Sequence, residues 1–236
     1  MRAIVNVGVG LWYPIGSKRL HQSIIKYSPN TAVFINQIPH TSHKDNPYAF
    51  KIAAIQQAYD KGCRKIFWMD SSVYLRKSMK PLWDLLDTQG HVLIRNGFNC
   101  GQWCSDAALK ILGLDREDAF IMPDYTGAVM GLNFEYERTR EFFSKLQDAC
   151  AKGCFKGSWS NQNGDVSEDT RVLGHRHDQV IGSIIADRLG MELINPSPYF
   201  VYRNGDEMNV KEDVILVSQG MLWDGWYVKD KKQSLI

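Results

Sequence analysis

The first seventy residues alternate between short β-branched runs and amphipathic stretches, and that alternation restricts the chain to an α/β fold built on a parallel sheet. Residues 3–9 are apolar, rich in valine and followed by Gly10, which suits a buried first strand ending in a loop. Residues 17–27 place Leu20, Ile24 and Ile25 on one helical face, with Ser17 able to cap the start and Pro29 just past the end. A second strand is predicted over 31–36. Asn46 before Pro47 predicts a capped helix start. Ala49, Ile52, Ala53, Gln56 and Tyr59 carry that helix to Lys61, and Gly62 supplies a left-handed stop. Residues 65–69 form the third strand and place Asp70 at its carboxyl end, where ligands gather in open α/β sheets.

The alternation continues with predicted helices over 81–86, 105–112, 135–152 and 177–189, and predicted strands over 91–95, 128–134, 198–202 and 214–218. Residues 157–174 have no periodicity and are dominated by Ser, Asn, Gln, Gly and Asp, so they are read as a mobile loop near the site. A chain of 236 residues supports one large core. The expectation is a single α/β domain with a mostly parallel central sheet flanked by helices.

A net charge of +2, with basic residues scattered along the chain, excludes nucleic acid as the main partner. The apolar run at the amino end is too short for a signal peptide or a transmembrane segment, which makes a cytoplasmic location the expectation. Cys63, Cys100, Cys104, Cys150 and Cys154 are odd in number and read as reduced thiols. The two Cys-x3-Cys pairs leave a four-thiolate zinc site as a disfavoured alternative.

The chemistry-bearing segments come in a definite order. Lys51 lies on a helix that leads into the strand Phe67-Trp68-Met69 and then Asp70-Ser71-Ser72. A second segment runs from Asp124 through Thr126 and Gly127 to Asn133, and a third, His175-Arg176-His177-Asp178-Gln179, opens a helix. Together they resemble the GT-A class of glycosyltransferases: a lysine-bearing helix with an Asp-x-Asp-type motif, a strand lining the sugar pocket, and a His-Asp-Gln element. Asn6-Val7-Gly8-Val9-Gly10 followed by Trp12-Tyr13 is similar to that class's base-holding first strand and loop.

The resemblance implies a GT-A-like domain over 1–236, with a nucleotide-binding part over about 1–95 and an acceptor-side part over about 96–236. It implies a nucleotide-diphosphate sugar such as a UDP-sugar as donor, a glycan or small-molecule acceptor, and a divalent cation, Mn²⁺ or Mg²⁺, held by Asp70. Val7, Gly8 and Tyr13 would hold the nucleotide, with Tyr13 stacking on its base. Lys51, Asp70, Ser71 and Ser72 would manage the diphosphate, helped by Lys18 or Arg19. Thr126 and Gly127 would line the sugar, the glycine letting the ring approach the backbone. Asp178 would be the base of an inverting transfer, with His175 and His177 as less favoured metal ligands. Ser72 stands where many members carry a second carboxylate.

Two other readings have their own signals. A nucleotidyltransferase calls for a glycine-rich basic loop after the first strand, whereas residues 8–18 hold aromatics and one lysine at the end. A catalytically silent nucleotide- or carbohydrate-binding module is suggested by Ser72. The lack of a three-glycine fingerprint disfavours a dehydrogenase.

Overall fold

The computed structural model describes residues 1–10, 13–35, 46–203 and 212–219. Trp12 and the predicted strand end at Asn36 lie outside them. Eight strands and eight α-helices are described. They are β1 (Arg2–Asn6), α1 (Tyr13–Tyr27), β2 (Ala32–Ile35), α2 (Ala49–Asp60), β3 (Lys65–Met69), β4 (Val73–Leu75), α3 (Lys80–Gln89) and β5 (His91–Asn99). After these come α4 (Cys100–Trp103), α5 (Asp106–Leu112), α6 (Arg116–Ile121), β6 (Pro123–Asn133), α7 (Glu137–Ala151), α8 (His177–Arg188), β7 (Phe200–Arg203) and β8 (Leu216–Gln219).

The main sheet has the order β2-β1-β3-β6-β5. β1 pairs in parallel with β2 and β3, while β6 is antiparallel to both β3 and β5. Four strands therefore share one direction. β6 runs against them, so its beginning lies at the edge where β1 and β3 end. It also joins the expected donor and acceptor parts, because β6 from the second inserts between β3 and β5.

Period-two alternation sorts the side chains of each strand onto the two faces. Ala3, Val5, Ile66 and Trp68 pack with Ile55, Phe142, Leu146, Ile181 and Ile184 of α2, α7 and α8. Ile4, Phe67 and Met69 pack with Leu20, Ile24, Leu82 and Leu86 of α1 and α3, and with Phe200 and Leu216 of β7 and β8. Complete burial of such a side chain contributes about 1.5–3 kcal/mol, so both faces of the sheet drive folding. Gly131 permits the close contact at the centre, since a Cβ there would lie 2.5 Å from the Phe67 ring.

Three elements escape sequence periodicity because they are too short to show it: β4, α4 and α6. β4 joins β7 and β8 in a second, three-stranded sheet of order β4-β8-β7. Local side chains fix α4, where Asn99 accepts from the Gln102 amide and the Gln102 side chain answers at the Asn99 amide, a reciprocal cap. β6 and β5 extend well beyond their predicted lengths, and α1 begins four residues early, at Tyr13.

Two expectations are corrected. Asn46 does not cap α2: its side-chain amide points to the Cys150 carbonyl at 3.4 Å, and the helix starts at Ala49 after Tyr48, whose φ of 61° is left-handed. Residues 157–174, read as a mobile loop, are cross-linked by hydrogen bonds. The half-buried Asn161 side chain donates to the carbonyls of Ser167 and Val172 and accepts from the amides of Val166 and Ser167, so one amide ties 161 to 166–172.

Candidate functional site

The ends of β1 and β3 are joined by a buried knot of uncharged groups. Asn6 donates from Nδ2 to the Met69 carbonyl at 2.8 Å and to Ser71 Oγ at 3.2 Å, and its Oδ1 accepts from Ser17 Oγ at 2.6 Å. The Ser17 and Ser71 hydroxyls are 3.1 Å apart. Gly8 passes over this knot, where a Cβ would lie 2.0 Å from Ser17 Oγ and 2.7 Å from the Tyr13 carbonyl. Gly8→Ala is therefore expected to lower stability by about 1–3 kcal/mol, read as a fall in the urea midpoint. Val7 is buried and Tyr13 is exposed beside it.

Of the residues expected at the diphosphate, Ser71 and Ser72 both turn away from Asp70. Ser71 belongs to the knot, and the Ser72 hydroxyl lies 3.0 Å from Ser218 Oγ on β8. Arg19 also points elsewhere: it donates to the Ser72 carbonyl at 2.7 Å and lies over the Tyr74 ring. Lys18 is exposed on α1.

Asp70 follows β3 at the sheet edge, its amide donating to the Ala128 carbonyl at 2.9 Å. Its Oδ1 accepts from Trp68 Nε1 at 2.8 Å and lies 3.3 Å from Lys51 Nζ. The same ammonium lies 3.0 Å from Asp178 Oδ2 and donates to the Gly127 carbonyl at 2.9 Å. One buried lysine thus joins residues from α2, β3, β6 and α8. Burial opposes its charge, but Asp178 and Asp70 together outweigh that, and the Lys51 pKa stands above the usual lysine value.

Asp178 is buried in the first turn of α8. Burial pushes its carboxyl up to about 6, Lys51 pulling down and Asp70 adding to the rise. A carboxylate that titrates close to neutrality is able both to take and to return a proton.

Behind this ion cluster lies a second network. Asp124, fully buried at the start of β6, accepts from Asn96 Nδ2 at 2.7 Å, from Ser183 Oγ at 2.7 Å and from Gln179 Nε2. These bonds fix the Gln179 amide so that its Oε1 accepts from the Gly127 amide at 2.9 Å. The Gly127 peptide is held at both ends, by Gln179 and by Lys51. A Cβ on Gly127 would lie 3.1 Å from Gln179 Cβ, so the missing side chain makes room for Gln179. Thr126 is buried with its hydroxyl against that of Tyr202 on β7, which brings the second sheet to the site. Tyr202 has no sequence signal, and Asp124 acquires its meaning only through contacts distant in the chain.

His175 is not available to a metal. Its Nδ1 accepts the Ser105 amide at 3.1 Å, which leaves Nε2 to donate to the Cys154 carbonyl at 2.9 Å, and burial holds its pKa down to about 3. His177 has Nδ1 at 2.8 Å from the Phe155 carbonyl and a φ of 48°. Its ring packs 5.0 Å from that of Tyr48, so two left-handed non-glycine residues meet beside the Lys51–Asp178 pair.

Among the described residues no group of three or more His, Cys, Asp or Glu converges as a metal site. The five thiols are free and buried, and burial raises each pKa. Asp70 keeps Oδ2 out of these contacts and is partly exposed. One carboxylate oxygen fits a hard cation bound mainly by substrate phosphates and water.

The sequence matches no protein-family model, and comparison with curated proteins finds no relative. Solved structures do share the fold. The WbbM bifunctional glycosyltransferase superposes over 95% of this chain with a TM-score of 0.56 at 12% identity. The match covers 46% of WbbM, so the chain spans under half that protein's length. A glycosyltransferase involved in glycosylation of the major capsid of PBCV-1 matches over 92% of this chain and 94% of its own, with a TM-score of 0.53 at 14% identity. The galactosyltransferase LgtC, solved with donor and acceptor sugar analogs, covers 96% of this chain and 89% of its own, at a TM-score of 0.50 and 13% identity. The mostly parallel central sheet flanked by helices in this chain is thus the fold of GT-A-type glycosyltransferases.

Proposed function

We propose that this chain transfers a sugar from a nucleotide-diphosphate donor, a UDP-sugar being the first to test, to a hydroxyl of a glycan or small-molecule acceptor. The observation that carries the reading is the Lys51 ammonium shared by Asp70 and Asp178 at the edge where β1 and β3 end. Phosphate-bearing ligands gather at such an edge in α/β sheets. Asp178 would accept the acceptor proton on Oδ1, because Oδ2 is engaged by Lys51. The acceptor oxygen then bonds to the anomeric carbon as the bond from that carbon to the diphosphate oxygen breaks, with inversion.

Lys51 holds both carboxylates in place, and Gln179 with Asp124 fixes the peptide that helps to hold Lys51. Positioning of this kind supplies much of the catalysis in group transfer. Tyr13, exposed beside Gly8, is the surface offered to the nucleobase. A divalent cation held by Asp70 Oδ2 would, when bound, neutralise the departing diphosphate.

The test is release of free nucleoside diphosphate from a panel of UDP- and GDP-sugars, with and without Mn²⁺, and the anomeric configuration of the product by proton NMR. Pyrophosphate release from a nucleoside triphosphate would instead support nucleotidyl transfer. Calorimetric binding of UDP without turnover of any donor would support the silent module.

A further inference from the structure

The guanidinium of Arg176 lies 3.8 Å over the ring of Trp103 and 4.0 Å over that of Trp159. Trp103 is buried, while Arg176 is half-buried and Trp159 partly exposed. Among the described residues the guanidinium N–H groups of Arg176 meet no hydrogen-bond acceptor and no carboxylate forms an ion pair with them. The buried cation of the site, Lys51, is by contrast shared by two carboxylates and a carbonyl. Burial holds the Arg176 pKa below the usual arginine value, Asp124 opposing at longer range.

Indoles on a guanidinium leave its edge as the polar surface, and five in-plane N–H groups match the two oxygens of a carboxylate or phosphate. The stacking also fixes the plane, so little rotamer freedom remains to be lost on binding. The backbone places this fork securely: the Arg176 amide donates to the Trp103 carbonyl at 2.9 Å, and its carbonyl accepts from the Gln179 amide at 3.0 Å. Arg176 is two residues before Asp178, and Asp124, Tyr202 and Tyr48 all act on its charge.

We propose that Arg176, flanked by Trp103 and Trp159, is an anion-binding subsite for the acceptor and selects an acidic sugar, one carrying a carboxylate or a phosphate. The acceptor assignment rests on the transfer reading above, whereas the anion site is testable without it. Tryptophan fluorescence reports on the flanking indoles directly. Glucuronate and glucose 6-phosphate represent the two sources of the oxyanion, and glucose is the neutral control.

The expected result is saturable binding of glucuronate or glucose 6-phosphate at least tenfold tighter than glucose, lost in Arg176→Gln, with UDP affinity by calorimetry changed less than twofold. Whichever of the two acids binds more tightly identifies the oxyanion. Arg176→Lys keeps the charge without the planar fork and serves where the glutamine variant misfolds. It should bind the preferred acid at least tenfold more weakly with UDP binding intact. Equal affinity for glucose and both acids, wild-type acid binding in Arg176→Lys, or a tenfold loss of UDP affinity in Arg176→Gln would each overturn the proposal, the last by assigning the guanidinium to the donor diphosphate. Failure to turn over any nucleotide sugar sinks the transfer reading and leaves the fluorescence result standing.

Discussion

Lys51→Met is expected to be the most damaging single substitution in the chain, lowering stability by about 3–5 kcal/mol and abolishing transfer. The ammonium is buried between Asp178, itself buried, and the more open Asp70, and its removal leaves charge without a counter-ion. For a chain of this size that loss corresponds to a fall in the thermal midpoint of roughly 2–4 °C for each kcal/mol. Methionine preserves the apolar stem, so the effect isolates the charge. Adding Asp178→Asn in the same chain should recover part of the loss, because a neutral amide tolerates burial better than an unpaired carboxylate. If urea denaturation gives additive losses for the two substitutions, the ion pair is not the coupled unit described above.

Asp178→Asn alone is expected to reduce kcat by about 10²–10⁴-fold while leaving UDP affinity in place, whereas Asp70→Ala should lose both. On the transfer reading, the unsubstituted chain should also show an acid limb in kcat/KM. Burial raises the Asp178 pKa to about 6, so the carboxylate is ionised and able to accept a proton above that pH and is progressively protonated below it. The rate should fall tenfold per pH unit on the acid side, and the limb should vanish in Asp178→Asn. Full turnover in that variant would remove Asp178 from the role of base.

The reach of the sequence can be judged element by element. β3 was legible to the residue because its apolar run is bounded by Gly62 on one side and Asp70 on the other. α8 was legible because Val180, Ile181, Ile184 and Ile185 recur with helical spacing before Gly190. The direction of β6 was not legible, since a strand buried on both faces reads alike either way, and only pairing with Phe67 and Trp68 reveals that it runs against β3.

Within the site, the sequence singled out Lys51, Asp70 and Asp178, and the structure gathers them around one ammonium. It did not reveal that Ser71 and Ser72 face away from Asp70, because that depends on Ser17 and Ser218, far along the chain. Nor did it single out Tyr48, whose left-handed backbone and ring contact with His177 join segments far apart in the chain.

The Asn6–Ser17–Ser71 knot differs in kind from the Lys51 cluster, since every bond in it joins neutral partners. Salt screens a buried pair such as Lys51–Asp178 far less than an exposed one, so acidity distinguishes the two groups better than ionic strength does. Below a pH of about 6 the two groups should therefore part company: the Asn6–Ser17–Ser71 bonds hold no titrating group and persist, while the Asp178 carboxyl, raised by burial, takes up a proton and loses its charge opposite Lys51. On the transfer reading, a chain in that state would keep its nucleotide side intact and lack its base.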